Sequence, residues 1–265
     1  MKKLTSVIAL VIIVCYSCST VPLTGRSQLN LVSDAEVNQS AAQSYNQLLS
    51  DPKTKVINAG TDAQRVKLVG NKLAAAVEGY LKTNGYGDQY KFNWEFNLIQ
   101  SPEVNAWCMP GGKVAVYSGL LPLAPTDGAL ATVMAHEIGH AIARHSAERI
   151  SQQMAVQGVG GAVNVASGNQ SQTTQAVISQ LYGVGGGLLL LKYSRKQESE
   201  ADHLGLIFMS IAGYDPHAAV LFWQRMMAQN KGGSTPELLS THPADATRVA
   251  DIQNRMPEAM KYYKP

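Results

Sequence analysis

His136-Glu137-Ile138-Gly139-His140 sets two imidazoles four residues apart with a carboxylate between them. At 3.6 residues per helical turn, positions 136 and 140 share a face. Both rings can then bind one Zn²⁺ and leave Glu137 beside them to handle the proton of a zinc-bound water. That is the working end of a zinc protease. With six His and ten Glu in 265 residues, such a pentad arises by accident in roughly one shuffled chain in two hundred, so the rest of the chain must supply a third ligand.

The metzincin pattern would place Gly three residues after the second His and a third His three further on. Those positions hold Ala143 and Ser146, so it fails, and His145, five residues beyond His140, is expected to face elsewhere on the helix. Glu198-Ser199-Glu200-Ala201-Asp202 fits better. Glu198 and Asp202 share a helix face while Glu200 points roughly to the other side. Glu198 is assigned as the ligand, and Asp202 as the group that orients a ligating His through its far nitrogen. A Glu-x-x-x-Asp pair by itself marks a solvated helix face; its weight comes from sharing a chain with the pentad.

These side chains need elements to hold them. Ser33-Asp34-Ala35-Glu36 has capping-box spacing and opens a helix through about Leu49. A second helix is expected over residues 62–81, with Val66, Val69, Leu73 and Val77 as its apolar stripe. Residues 90–99 alternate apolar and polar side chains as in a half-buried strand. Residues 104–109, a turn at Pro110-Gly111-Gly112 and residues 113–117 form a hairpin beside it. Helical spacing runs from Asp127 through about Ser151 and carries the pentad. Residues 152–180 have no charged side chain, and 183–191 are glycine-rich and apolar; together they read as loosely packed helices and a mobile loop. Three more helices are expected near 194–212, 215–229 and 243–254.

The 45% hydrophobic content is ordinary for a globular core. Net charge is +3, and +1 without Lys2 and Lys3, so no nucleic-acid partner is implied. Residues 1–17 read as a lipoprotein signal peptide, with the two lysines followed by an apolar run from Val7 to Val14 that is too short to span a bilayer. Ser17 before Cys18 suits lipidation of Cys18, whereas cleavage before Cys15 would put Val14 at the small-residue position. Residues 18–32 are then a lipidated tether and lead-in segment, with Pro22 and Gly25 breaking any regular element. The mature chain would keep one thiol, Cys108, which precludes an internal disulfide; it is either a small buried apolar side chain or a thiolate that blocks zinc.

Over most of residues 33–265 the chain resembles the zinc metalloproteases that include the HtpX heat-shock proteases, the CAAX prenyl endoproteases and the mitochondrial Oma proteases. The resemblance lies in the pentad, in Ser194 through Asp202, in Thr241-His242-Pro243 followed by Arg248, and in Asn105-Ala106-Trp107 with Pro110-Gly111-Gly112. Cys18 through Arg26 is similar to the start of its bacterial lipoprotein members. The resemblance implies a single α+β catalytic domain, mainly helical and zincin-like, with a small sheet beside the active-site helix. It implies one Zn²⁺ on His136, His140 and Glu198, with Glu137 as general base and His242, with Arg248, stabilising an oxyanion. Asn105 and Ala106 would meet an extended peptide at the sheet edge. The expected activity is cleavage of misfolded or misassembled envelope proteins by an enzyme lipid-anchored in the outer membrane and facing the periplasm. The alternative is a chaperone or assembly factor for outer-membrane proteins with a latent site, and residues 183–191 could cover the cleft.

Overall fold

A computed structural model describes residues 18–21, 23–156, 193–230 and 236–264. In chain order the first elements are Cys18–Thr20 (β1), Ser27–Leu29 (β2), Asp34–Ser50 (α1), Val56–Ile57 (β3), Thr61–Thr83 (α2) and Glu95–Ile99 (β4). Next come Ala106–Met109 (β5), Lys113–Tyr117 (β6), Asp127–Ile142 (α3) and His145–Val156 (α4). Arg195–Ile211 (α5), His217–Asn230 (α6), Glu237–Thr241 (α7) and Ala246–Ala259 (α8) complete the fold, which is mostly helical with a small mixed sheet.

The helices begin where side chains can take up their unpaired amides. Ser33 accepts a hydrogen bond from the Glu36 amide at α1, and Thr126 from Ala129 at α3. Ser194 and Gln197 cap α5 reciprocally. The expected stripe of α2, Val66, Val69, Leu73 and Val77, is buried. Helix α3 buries 13 of its 16 residues, including both His and Glu137, as a helix apolar on nearly every side must. Among the described residues no helix is long and apolar enough to cross a membrane.

Strands β3, β4, β6 and β5 lie in that order, with β4 parallel to β6 and the other neighbours antiparallel. Side chains alternate across the sheet. Phe96, Leu98, Ala106, Cys108, Val114 and Val116 pack with α2 and α3 in one core. Ile99, Trp107, Met109, Ala115 and Tyr117 pack with α1 and α4 in a second. The sheet is thus covered by helices on both faces, and the hairpin expected around Pro110-Gly111-Gly112 is β5 and β6.

Several sequence expectations need correction. The strand expected over 90–99 is only Glu95–Ile99. The alternation before it is real, since Tyr90, Phe92, Trp94 and Phe96 stack in succession, but β6 starts at Lys113 and offers no ladder beyond Gly111 and Gly112. The helix expected from Asp127 to Ser151 is two helices. Arg144 sits between them at φ 56°, a left-handed conformation that is unfavourable by roughly 1–2 kcal/mol for a side chain with a Cβ. Its guanidinium holds the break, lying 2.6 Å from Asp34, over the Tyr90 ring and within reach of the Gln89 carbonyl. The segment read as an unstructured tether contains β1 paired with β2, and Val21 is fully buried. Strand β3 and helix α7 are too short to show a period. Residues 1–17 and most of 152–191, including the 183–191 stretch, lie outside the described residues.

Helices α3 and α5 cross closely because each presents a glycine to the other. A Cβ on Gly139 would lie 2.7 Å from the Ala201 carbonyl oxygen, and one on Gly205 3.1 Å from the His136 amide. Both obstacles are backbone and cannot swing away. Gly139→Ala gains about 1 kcal/mol of helix propensity but forces the helices apart, at the upper end of the ~1–3 kcal/mol typical of overpacking. A net loss of about 2 kcal/mol is expected in urea unfolding; a variant as stable as the parent would show that the crossing is not tight.

Candidate metal centre

The α3–α5 crossing brings the pentad against Glu198. His136 Nε2 and His140 Nε2 are 3.1 Å apart, and the Glu198 carboxylate lies 3.4 Å from the first and 3.5 Å from the second. His242, just past α7, adds Nδ1 at 3.2 Å from His136 Nε2 and 2.9 Å from Glu198 Oε1. One ligand atom from each of these four buried residues lies within 4.8 Å of every other. The edges of a zinc tetrahedron with bonds of ~2.0–2.1 Å are roughly 3.3 Å, so the separations fit that ion.

Proton placement gives an independent test. His136 turns Nδ1 to Asp202 at 2.9 Å, and His140 turns Nδ1 to His145 at 2.7 Å. With their protons on those nitrogens, both Nε2 atoms present lone pairs to each other. Two lone pairs at 3.1 Å repel unless a cation lies between them, either a metal ion or the proton that keeps the His136 ring charged in the metal-free fold. Glu137 Oε1 is buried there and accepts no hydrogen bond, which a polar interior does not usually tolerate. The donor set, two imidazoles and a carboxylate, suits Zn²⁺.

Burial raises the pKa of Glu137, with Glu198 adding to the effect while His242 and His136 oppose it. Burial also works against ionisation of Glu198, but the charge of His242 and hydrogen bonds from all three imidazoles hold it well below the usual carboxylate range. For His136, burial and Arg248 disfavour the charged ring, yet Asp202 and Glu198 outweigh both and raise its pKa to about 9. A metal binding here must displace that proton.

Around the four donors lies a buried support. Arg248 grips Asp202 with two hydrogen bonds of 2.8 and 2.7 Å and stands 3.1 Å from Glu198 Oε2. Its guanidinium carbon lies 3.4 Å from the centre of the Trp223 ring, which packs edge-on against His136. Tyr193 stacks on His140 with ring centres 4.1 Å apart.

Of the sequence candidates, His136, His140, Glu198, Asp202, Glu137, His242 and Arg248 converge. His242 stands among the ligand atoms, closer than the oxyanion role requires, and Arg248 engages carboxylates within the support. Asn105 is buried and differs from the expectation. Its side-chain oxygen accepts from the Ala106 amide at 2.9 Å, and its carbonyl accepts from Tyr117, so the Asn105 side chain and the Ala106 N–H already have partners. By the alternation of an antiparallel pair, the Ala106 carbonyl and the backbone of Cys108 face away from β6. Cys108 is buried outside the four-donor cluster, and burial pushes its thiol up, which fits the apolar reading. Cys18 is described only by its backbone pairing with Leu29.

His145 does not face elsewhere: the turn at Arg144 brings it back onto His140. Trp223 and Tyr193 carried no sequence signal beyond their types, since each reaches the site by its fold neighbours alone.

A family model for peptidase family M48 matches residues 64–256. The chain is 32% identical over 240 residues to the mitochondrial metalloendopeptidase OMA1 of Schizosaccharomyces pombe, covering 90% of this chain and 66% of that protein. It is 36% identical over 175 residues to the OMA1 of Arabidopsis thaliana, with 65% and 34% covered. It is 31% identical over 176 residues to the beta-barrel assembly-enhancing protease of Escherichia coli, with 64% and 36% covered. The chain thus spans between a third and two thirds of the length of these relatives. The matched span encloses every donor of the cluster, and with it the converging lone pairs and the buried Glu137, so that sequence and geometry agree: the chain belongs to peptidase family M48, a family of zinc-dependent metalloproteases.

Proposed function

We propose that this metalloprotease cleaves misfolded or misassembled proteins of the bacterial cell envelope, tethered through a lipid on Cys18 to the outer membrane and facing the periplasm. The convergence of His136, His140 and Glu198 beside a buried carboxylate that accepts no hydrogen bond carries the reading. The lipoprotein-like start of the chain and the similarity to a protease named for β-barrel assembly support the location and substrate class.

His136, His140 and Glu198 would hold the zinc, which would supply Lewis-acid polarisation of a peptide carbonyl and a water acidified toward a pKa of ~7. Glu137 takes the proton of the attacking water at Oε1 and returns it to the leaving amine. Asp202 fixes the His136 ring through Nδ1, and Arg248 keeps Asp202 ionised and in place. Four protein donors would fill a tetrahedral site, so His242 must stand outside the ligand set while a peptide is cut. Its Nε2, 3.4 Å from Glu137 Oε1, then serves the developing oxyanion. The peptide lies extended along β5, the edge strand of the sheet among the described residues, and pairs with the outward backbone of Ala106 and Cys108.

Purified protein incubated with unfolded casein should release fragments in a chelator-sensitive manner. Protection of casein from aggregation without cleavage, in any metal state, would favour a holding chaperone instead. Peptides released from an envelope extract by the parent but not by the Glu137→Gln variant would name the substrates.

A further inference from the structure

The two zinc-binding imidazoles are oriented by different kinds of partner. His136 leans on a carboxylate, Asp202, 2.9 Å away, whereas His140 leans on a second imidazole, His145, at 2.7 Å. An imidazole can accept the His140 proton at Nδ1 only if its own proton sits on Nε2. That Nε2 lies 2.8 Å from Glu200 Oε2, with the His145 ring fully buried. Glu200 is itself held by the loop joining β1 to β2. The Arg26 Nε lies 2.6 Å from Glu200 Oε2, and the Thr24 hydroxyl donates to Oε1. Arg26 is anchored in turn, its two terminal nitrogens 3.0 and 2.8 Å from the Glu148 carboxylate, which also accepts from Gln197 at 2.9 Å.

We propose that Arg26, Glu200 and His145 form a positioning relay through which the docked N-terminal hairpin fixes the ring of the metal ligand His140. The inference rests on the assignment of His140 as a zinc ligand. Every link has one workable proton arrangement: His140 Nδ1–H to His145, His145 Nε2–H to Glu200, and the guanidinium to Glu200. If Arg26 leaves, Glu200 loses the ion pair that ties it to Glu148 and holds its carboxylate against His145 Nε2, so the His145 ring is no longer held in register. His140 then loses the acceptor that aims Nε2 at the metal. The hairpin lies outside the 64–256 span that matches the family model, so this control comes from the part of the chain next to its expected lipid.

The test measures Zn²⁺ affinity by chelator competition on the full chain, together with the visible absorption of the Co²⁺-loaded protein. Arg26→Gln should weaken Zn²⁺ binding by about 10- to 100-fold, the usual effect of losing a group behind a metal ligand, and should alter the Co²⁺ spectrum. Thr24→Val, which leaves the guanidinium in place, should give a smaller loss in the same direction and serves if Arg26→Gln does not fold. The double variant Arg26→Gln/His145→Ala should bind Zn²⁺ no more weakly than His145→Ala alone, because the effect passes through His145. Unchanged affinity in a folded Arg26 or Thr24 variant, or additive losses in the double variant, would overturn the relay. His140→Ala separates the two levels. It should lose Zn²⁺, and if it does not, the ligand assignment itself has failed and the relay with it.

Discussion

Glu137→Gln is expected to keep its zinc and lose peptide cleavage by about 10²- to 10⁴-fold, the range over which a positioned general base contributes. The substitution preserves length and shape, and Glu137 is not one of the four clustered donors, so metal content should stay at one per chain. What disappears is the capacity of Oε1 to accept and return a proton. In the present fold that atom accepts no hydrogen bond and lies 3.4 Å from His242 Nε2. Metal content by atomic absorption, measured beside casein turnover, checks both halves. Turnover within tenfold of the parent would move the base elsewhere.

A comparably large effect on stability is expected at Arg248. Its guanidinium is buried against Trp223 and faces two buried carboxylates, Asp202 and Glu198. Arg248→Met keeps much of the apolar stem but takes the guanidinium away from both acids. Breaking a buried ion pair from one side typically destabilises by about 3–5 kcal/mol, several times the value of an exposed pair. Urea unfolding of metal-free protein should show that loss, and Arg248→Lys, which restores charge without the two-pronged geometry, should recover only part of it. A loss below about 1 kcal/mol for Arg248→Met would mean that the acids are neutral or hydrated in the metal-free fold.

The centre was legible in the sequence where one helical period decides the outcome. His136 with His140, and Glu198 with Asp202, are each four residues apart on a single helix, so their facing follows from the turn angle alone. His145 was misread for the same reason: its direction depends on the left-handed Arg144, which Asp34, Gln89 and Tyr90 hold from distant parts of the chain. His242 meets His136 across 106 residues, and only its resemblance to a family motif marked it. The crossing of α3 on α5 depends on Gly139 and Gly205, whose importance lies in what a Cβ would strike and not in any local pattern. The first hairpin was hidden because three-residue strands carry too little alternation to outweigh Pro22 and Gly25.

That hairpin also limits the distance between Cys18 and the catalytic body. Val21 is fully buried and lies three positions from Cys18, with only Ser19 and Thr20 between them. Fully extended, those three steps span at most about 10 Å, and pairing of β1 with β2 removes most of their freedom. If Cys18 carries the lipid, the catalytic body rides directly on the bilayer surface with no leash to swing on. Its substrates would have to come to it at the headgroups, as chains still emerging from or failing to enter the membrane do, and proteins free in the fluid beyond would pass out of range.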